Sequence, residues 1–196
     1  MATVISAHYD FASTICYVTH RCLGRWQADL DELGVALEWR PLDLVRITGW
    51  ARGVEVEGVR RENALRVAQE FDVEVHMPAR WLDSRSAHAI ALSLAGTPKE
   101  EAWRERVQSA VFEEGRDIGE TAEIERLAAD IGLRLDVDAG HLAALDRATI
   151  AAGEAGLTGV PALDLGGWFL PGLQDRQTMR LVIERYLRRI AARAAT

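Results

Sequence analysis

Residues 3–41 read TVISAHYDFASTICYVTHRCLGRWQADLDELGVALEWRP, and their pattern decides the fold. Residues 3–10 are rich in β-forming side chains and stop at a polar turn, which predicts a strand. From residue 14 to residue 33 apolar side chains recur at helical spacing, which predicts an amphipathic helix. Residues 35–41 alternate between apolar and polar side chains and predict a second strand. A strand, a helix and a strand in this order need a parallel pair in one sheet.

The end of the chain carries a second mixed segment. Residues 160–165 and 168–170 are short apolar runs joined by Gly166 and Gly167, and paired glycines favour the tight turn of a β-hairpin. The last segment predicts a helix with an apolar face of Met179, Val182, Ile183, Tyr186, Leu187 and Ile190. The expected order at this end is therefore strand, strand, helix.

Residues 45–153 have the pattern of consecutive helices. Thr97 and Glu100 form a capping-box pattern with Pro98 at the first helical position, and an apolar stripe follows them. Further helices are expected at residues 61–71, 84–94, 124–131 and, after Asp138, 142–148. No period repeats among these segments, so a helical repeat array is not expected.

The composition is that of one globular domain. The chain has 196 residues, of which 48% are hydrophobic and 27% are charged, so one well-buried core is the expected organisation. The formal net charge is −7, whereas nucleic acids and anionic membranes bind basic surfaces. We therefore expect a small-molecule substrate or a protein as the partner, and no nucleic acid or membrane.

The cysteine content and the N-terminus favour a cytoplasmic protein. Cys16 and Cys22 lie on one predicted helix at a spacing that turns their side chains apart, so no disulfide is expected. No Cys/His spacing of a zinc site occurs, so no metal is expected. The first residues lack the pattern of a signal peptide, and no run of about 18 apolar residues occurs.

Five short stretches of the chain stand in a characteristic order. They are YDFASTICY at residues 9–17, SAHA at 86–89, FEEGRDI at 112–118, GVPA at 159–162 and GLQD at 172–175. Together they resemble the DsbA superfamily of thioredoxin-like proteins. The resemblance is strongest to the branch of kappa-class glutathione transferases, 2-hydroxychromene-2-carboxylate isomerases and cytoplasmic DsbA-like oxidoreductases.

The resemblance implies an α/β architecture, a thioredoxin fold with a large all-helical insertion. Residues 1–44 and 154–196 would form the thioredoxin-like domain, and residues 45–153 would form the insertion. His88 is expected to pack inside the insertion. The six tryptophans of the chain indicate an aromatic-lined pocket.

Ser13 occupies the position that decides the chemistry of this superfamily. In the redox members the turn is Cys-x-x-Cys, and its first cysteine is a thiolate stabilised by the helix N-terminus. A serine cannot exchange disulfides, so the resemblance implies that Ser13 excludes ordinary dithiol turnover. In the kappa and isomerase members a serine here hydrogen bonds the sulfur of bound glutathione. The alternative is that Ser13 only caps the helix, and the two roles are compatible.

Cys16 stands at the second cysteine position of that turn. Free N–H groups in the first turn of a helix lower the pKa of an accessible thiol, and His20 follows one turn later. Cys16 and His20 are therefore a candidate nucleophilic pair. The alternative is a core role for Cys16, since free cysteines are commonly buried.

Four further residues are implied to bind a ligand. The Val160–Pro161 bond is expected to be cis and to lie beside Ser13, where the Val160 backbone would contact the ligand. Gln174 and Asp175 correspond to positions that hold the γ-glutamyl end of glutathione, although this chain is one residue longer at that point. Glutathione or another low-molecular-weight thiol is the implied cofactor.

The leading interpretation is an enzyme of the kappa transferase or isomerase type that acts on a small molecule. Ser13 would position a thiolate or a substrate oxygen, and the branch implies a homodimer. One alternative is a DsbA-like thiol-disulfide oxidoreductase that works through Cys16 alone. Another is a catalytically silent binding module that has kept the fold, because a fold does not by itself determine a function.

Overall fold

A four-stranded mixed sheet forms the centre of the fold. The computed structural model describes residues 2–135 and 139–194. The strands are β1 (Thr3–Tyr9), β2 (Val35–Pro41), β3 (Ala162–Asp164) and β4 (Phe169–Pro171). Their spatial order is β2-β1-β3-β4, in which β1 and β2 are parallel and β3 is antiparallel to both β1 and β4. The predicted β–α–β start and the predicted hairpin are confirmed.

Helices form the rest of the regular structure. They are α1 (Thr14–Arg25), α2 (Gln27–Glu32), α3 (Leu44–Thr48), α4 (Gly58–Glu70), α5 (Arg85–Ser93), α6 (Lys99–Phe112), α7 (Thr121–Asp130), α8 (Ala139–Glu154) and α9 (Arg176–Ala194). Between β2 and β3 every described element is a helix, and an isolated bridge joins Glu55 to Arg80. Asp138, which precedes α8, lies outside the described residues. No helix in the described ranges is long and apolar enough to span a membrane.

The prediction of one continuous helix from residue 14 to residue 33 is wrong. The structure has two helices there, α1 and α2, which meet at Trp26. The Trp26 N–H contacts the carbonyls of both Cys22 and Leu23, at 3.0 and 3.2 Å, so the last turn of α1 tightens there. The Arg25 guanidinium next to it is held by the carbonyls of Phe71 and Asp72. The periodicity of apolar residues continues through this break, which is why the sequence pattern does not reveal it.

One face of the sheet carries the core of the thioredoxin-like part. This cluster contains Ile5, Ala7, Leu30, Val35, Leu163, Leu165, Leu170, Met179 and Ile183, so β1, β2, β3 and β4 pack against α2 and α9. Because side chains alternate along a strand, Ser6, His8, Glu38 and Arg40 lie on the opposite face. The period-two pattern of β2 therefore separates a packed face from a polar one.

The insertion forms a second core, which packs against α1. Trp103, Val107, Ala110 and Val111 of α6 are fully buried in it, as the predicted apolar stripe requires. The Trp103 Nε1 donates a hydrogen bond to the Ala87 carbonyl at 2.9 Å, which satisfies the one polar atom of the buried ring.

The start of α6 differs from the predicted capping box. The Thr97 hydroxyl donates to the Leu94 carbonyl at 2.6 Å, and the Glu100 carboxylate accepts from the Gly96 N–H at 2.8 Å. Both side chains therefore close the turn between α5 and α6, and no side chain caps α6, which begins at Lys99. The turn bends sharply enough to need a left-handed residue, Gly96, at φ +73°.

The β3–β4 hairpin has the predicted turn. Gly166 and Gly167 both have positive φ, 74° and 85°, which is the conformation that paired glycines adopt most easily. The Leu165 N–H donates to the Trp168 carbonyl at 2.9 Å and closes the turn. The hairpin begins directly after Pro161, so it fixes the position of the Val160–Pro161 loop.

Trp103→Ala should lower the free energy of unfolding by about 3–5 kcal/mol, because it leaves a large cavity in the second core. Trp168→Ala is the matched control, since that ring is 51% exposed, and its cost should stay below about 0.5 kcal/mol. Urea unfolding followed by circular dichroism measures both. Equal losses in the two variants would show that Trp103 does not organise the insertion.

Candidate active site

Ser13 lies at the N-terminus of α1. Its backbone is extended, with φ −92° and ψ 112°, and its Oγ accepts a hydrogen bond from the Cys16 N–H at 3.3 Å. The predicted helix cap is confirmed. The Ser13 N–H donates to the Asp10 carbonyl at 3.1 Å, which fixes the turn between β1 and α1.

A cleft of about 150 Å³ lies against Ser13. Val160 lines the same cleft, and the Val160–Pro161 peptide bond is cis. The structure therefore brings Ser13 and the Val160–Pro161 loop to one place, as expected. The other lining residues are Ala12, Thr14, Ile15, Leu44, Trp50, Val56, Arg60, Asn63, Ala64, Met77, Pro78, Arg80 and Trp81.

Two loops of the insertion pair to form the aromatic wall of this cleft. The Val56 N–H donates to the Ala79 carbonyl and the Trp81 N–H donates to the Val54 carbonyl, both at 2.8 Å. This short ladder sets the rings of Trp50 and Trp81 edge to face, with centroids 5.0 Å apart. The tryptophan content indicated an aromatic pocket, but the pairing of two distant loops has no local sequence signal.

Two arginines give the cleft a positive charge. The Arg60 guanidinium lies over the Trp50 ring, 3.6 Å from its centroid, in a cation–π contact. Arg80 lines the cleft as well, and within the described chain no carboxylate does. An anionic molecule with an apolar body is therefore the kind of ligand that this cleft suits.

Cys16 lies beneath Ser13 and is fully buried. Its Sγ lies 3.5 Å from the Asp10 N–H, which donates to it. Burial raises the pKa of the Cys16 thiol to about 12, and hydrogen bonds from Ser13 and from the Asp10 backbone offset only part of that shift. At neutral pH the group is therefore a thiol, and these surroundings favour the core role over the nucleophilic one.

The predicted pair of Cys16 and His20 is wrong. The His20 Nε2 accepts a hydrogen bond from the Arg104 Nε at 3.3 Å and lies 3.4 Å from a Glu105 oxygen. Burial, and then the charges of Arg104 and Arg21, lower the pKa of His20 to about 3, so the ring is neutral. One turn of helix aligns His20 with Cys16 in sequence, but its ring turns to α6.

The Asp10 carboxylate, which sequence reasoning missed, joins three segments behind the cleft. Its Oδ1 accepts from the Ala12 N–H at 2.8 Å and from the Ser84 hydroxyl at 2.7 Å, and its Oδ2 accepts from the Leu44 N–H at 2.9 Å. The His88 Nε2 lies 3.1 Å from the same Oδ1. His88 therefore does more than pack within the insertion, because it contacts the turn that carries Ser13.

Asp10 and His88 are both completely buried. Burial alone raises the pKa of Asp10, but the charge and hydrogen bond of His88, with the N–H groups of Ala12 and Leu44, outweigh it and lower the pKa below its usual value. The sequence signal for this buried contact is an aspartate at the end of an apolar strand. Such an aspartate is also typical of a polar turn, which is how the sequence pattern was interpreted.

Gln174 and Asp175 make their hydrogen bonds within their own turn. The Gln174 Nε2 donates to the Pro171 carbonyl at 3.3 Å, and the Asp175 Oδ1 accepts from the Thr178 N–H at 3.0 Å at the start of α9. Neither residue is part of the cleft lining around Ser13. Their role in binding glutathione stays a prediction. Among the described residues no group of His, Cys, Asp and Glu is placed to hold a metal ion.

The chain belongs to the DSBA-like thioredoxin domain family, whose model matches residues 4–184. The match spans both halves of the thioredoxin-like part together with the insertion. No curated protein matches the chain at the sequence level.

Solved structures share the fold. A 2-hydroxychromene-2-carboxylate isomerase superposes with a TM-score of 0.74 and 20% identity over 99% of this chain and 100% of its own. A probable DsbA oxidoreductase from Streptomyces coelicolor superposes with a TM-score of 0.72 and 17% identity, over 94% of this chain and 89% of its own. The cytosolic disulfide reductase DsbM from Pseudomonas aeruginosa, solved with GSH, superposes with a TM-score of 0.56 and 21% identity, over 95% of this chain and 100% of its own. At these identities the likeness establishes the fold.

Both cysteines should resist a thiol reagent in the native protein. Cys16 and Cys22 are buried and burial raises the pKa of each thiol, so few thiolates are present at neutral pH. Reaction with dithionitrobenzoate at pH 7.5 should be slow in buffer and should titrate both cysteines in guanidinium. Rapid labelling of Cys16 in buffer would contradict this prediction and would favour a reactive thiol.

Asp10→Asn should destabilise the protein by about 3 kcal/mol at pH 7, because an amide nitrogen cannot accept the hydrogen bonds that Ala12, Leu44 and Ser84 donate to the buried carboxylate. Folding lowers the pKa of Asp10, so the ionised carboxylate stabilises the fold above its unfolded pKa of about 3.9. That contribution is lost as the pH falls through this value toward the lower pKa of the folded state.

The difference in stability between the unmodified protein and Asp10→Asn should therefore narrow as urea titrations move from pH 5 to more acid conditions. Ser84→Ala is the control, since it removes one hydrogen bond to Asp10 and leaves the charge in place. It should cost about 1 kcal/mol at every pH. A constant difference for Asp10→Asn would mean that the ionisation of Asp10 does not support the fold.

Proposed function

We propose that this protein is a DsbA-family enzyme of the kappa glutathione transferase or 2-hydroxychromene-2-carboxylate isomerase type, which acts on a small molecule. The observation that carries the proposal is that the Ser13 side chain, at a helix N-terminus, shares one cleft with the Val160–Pro161 loop. The substrate is a low-molecular-weight thiol or a small aromatic molecule.

Ser13 has the chemistry that this role needs. Its hydroxyl can donate a hydrogen bond to a thiolate or a substrate oxygen, and the helix N-terminus favours the same negative charge. Arg60 and Arg80 add positive charge to the cleft, while Trp50 and Trp81 give an apolar contact surface. The Val160 backbone is the expected clamp on the opposite side of the ligand.

Glutathione fits one end of this arrangement. The hydroxyl of Ser13 suits its sulfur, and the disulfide reductase with the same fold was solved with GSH. The residues expected to hold its γ-glutamyl end, Gln174 and Asp175, are bonded within their own turn and lie outside the cleft lining. Another small thiol or an anionic aromatic substrate therefore suits the described residues at least as well.

A DsbA-like oxidoreductase that uses Cys16 alone is the second candidate, and the fold of two structural neighbours favours it. The burial of Cys16 and the raised pKa of its thiol argue against it, since the thiolate is the attacking species. A silent binding module would bind ligands in the same cleft without turnover. A cytoplasmic location suits either enzyme, because a reducing compartment keeps both cysteines as thiols.

Ligand binding tests the proposal directly. Glutathione and a set of aromatic carboxylates are titrated calorimetrically into the unmodified protein, Ser13→Ala and the control Ser86→Ala, whose side chain lies on the exposed surface. Ser13→Ala should weaken binding about tenfold or more, the effect of one hydrogen bond to a charged group. Ser86→Ala should leave the affinity unchanged. Equal affinities in all three proteins would remove Ser13 from the site.

Turnover of a bound ligand distinguishes the enzyme from the binding module. Product formation with the ligands that bind is followed by chromatography, again with Ser13→Ala beside the unmodified protein. Loss of turnover in Ser13→Ala supports the enzyme. Binding by the unmodified protein without any product would favour the silent module.

Ser13→Cys should create dithiol redox activity that the unmodified protein lacks. The Ser13 Oγ accepts a hydrogen bond from the Cys16 N–H at 3.3 Å in the first turn of α1, so a cysteine at position 13 would have the Cys-x-x-Cys spacing at which a bridge can form. Insulin reduction is measured for the unmodified protein, Ser13→Cys and Ser13→Cys/Cys16→Ser, in which the second thiol is missing. Activity in the unmodified protein equal to that of Ser13→Cys would favour the Cys16 oxidoreductase. Activity in none of the three would favour the binding module.

A further inference from the structure

The last helix concentrates positive charge. Helix α9 contains six arginines and one glutamate, whereas the whole chain has a formal net charge of −7. Its first two arginines, Arg176 and Arg180, pair with Asp29 and Glu32 of α2, and Glu184 pairs with Arg180 as well. Within the described chain no carboxylate pairs with the later arginines of the helix, which are Arg185, Arg188, Arg189 and Arg193. The second half of α9 therefore presents positive charge that the fold does not neutralise.

Three of these arginines form a row. Arg185, Arg189 and Arg193 follow one another at intervals of four residues, which places them along one face of α9, and all three are exposed. Like charges at this spacing repel each other, although the negative end of the helix dipole offsets part of that repulsion. An acidic partner on this face would remove the remaining repulsion.

The β3–β4 hairpin packs beside this row. The Arg189 Nη2 donates to the Leu165 carbonyl at 2.6 Å, and its guanidinium lies 5.6 Å from the centroid of the Tyr186 ring. Gly166 is so close to α9 that a Cβ there would lie 3.3 Å from the Tyr186 ring. Trp168 belongs to the same turn and is 51% exposed. Tryptophan, tyrosine and arginine are the residues enriched at the centres of protein–protein interfaces.

The charge of the remaining surface decides which anionic partner this face suits. At physiological ionic strength, exposed charges more than about 8 Å apart are largely screened from each other. A compact partner on the row therefore senses mainly the arginines. A long nucleic acid or an anionic membrane extends over the rest of the surface, whose net charge is negative and repels it.

We propose that the row of Arg185, Arg189 and Arg193, together with Trp168, binds an acidic segment of a partner protein. Carboxylates of the segment face the arginines, and an apolar side chain packs on the exposed indole. None of these four residues lines the cleft around Ser13, so ligand binding and turnover there do not depend on this contact. This proposal and the proposed function can therefore fail separately.

A model peptide tests the surface. A fluorescein-labelled peptide of repeated Glu-Glu-Leu units is titrated with the full chain, and anisotropy gives the dissociation constant over a salt series. Arg185→Glu/Arg193→Glu should raise that constant about tenfold and remove most of its salt dependence, because both changes put like charge against the peptide. Trp168→Ala should also raise it about tenfold, but with the salt dependence unchanged. A peptide of Gln-Gln-Leu units should not bind.

Arg61→Glu/Arg147→Glu is the matched control, because it makes the same change in net charge on α4 and α8. It should leave the dissociation constant within about twofold of the unmodified value, since these positions lie outside the row. Circular dichroism confirms that each variant is folded.

Four outcomes would overturn the proposal. They are no binding by the unmodified protein at low salt, equal weakening in both double variants, tighter binding of a single-stranded DNA of equal charge, and a dimer in light scattering that is lost in Arg185→Glu/Arg193→Glu. The third outcome would assign the face to nucleic acid, and the fourth would assign it to a second copy of the chain.

Discussion

The buried carboxylate of Asp10 is the constraint on which the site depends. A charge without access to water is tolerated only when donors surround it, and here they come from the turn before α1, from the start of α3 and from α5. Satisfying one side chain therefore fixes where the insertion meets the thioredoxin-like part. The cleft lies along that junction, so its shape depends on a buried group that is not part of its lining.

The elements that local patterns describe could be predicted from the sequence. The alternation in β2, the paired glycines of the hairpin and the serine before α1 each act through neighbouring residues, and each prediction is confirmed. The break at Trp26 escaped prediction because the apolar spacing runs through it. The capping box failed because Thr97 and Glu100 found partners in the preceding turn.

The least predictable parts of the site join residues that are distant in the chain. Asp10 and His88 meet across 78 positions, and the aromatic wall needs two loops to pair. No single segment carries a signal for such contacts, because each half is unremarkable alone. For His20 the local pattern gave a wrong prediction. Helical spacing predicted a pair with Cys16, but the His20 ring accepts its hydrogen bond from Arg104, which is distant in the chain.

Both the thioredoxin-like part and the insertion contribute residues to the cleft. Ser13 and Val160 belong to the turn of the βαβ unit and to the loop before the hairpin, whereas Trp50, Arg60 and Trp81 belong to the insertion. If Ser13 is the reactive position, as proposed, substitutions in the insertion would alter which molecules the cleft accepts and would leave Ser13 in place. Selectivity and chemistry would then depend on different segments of the chain.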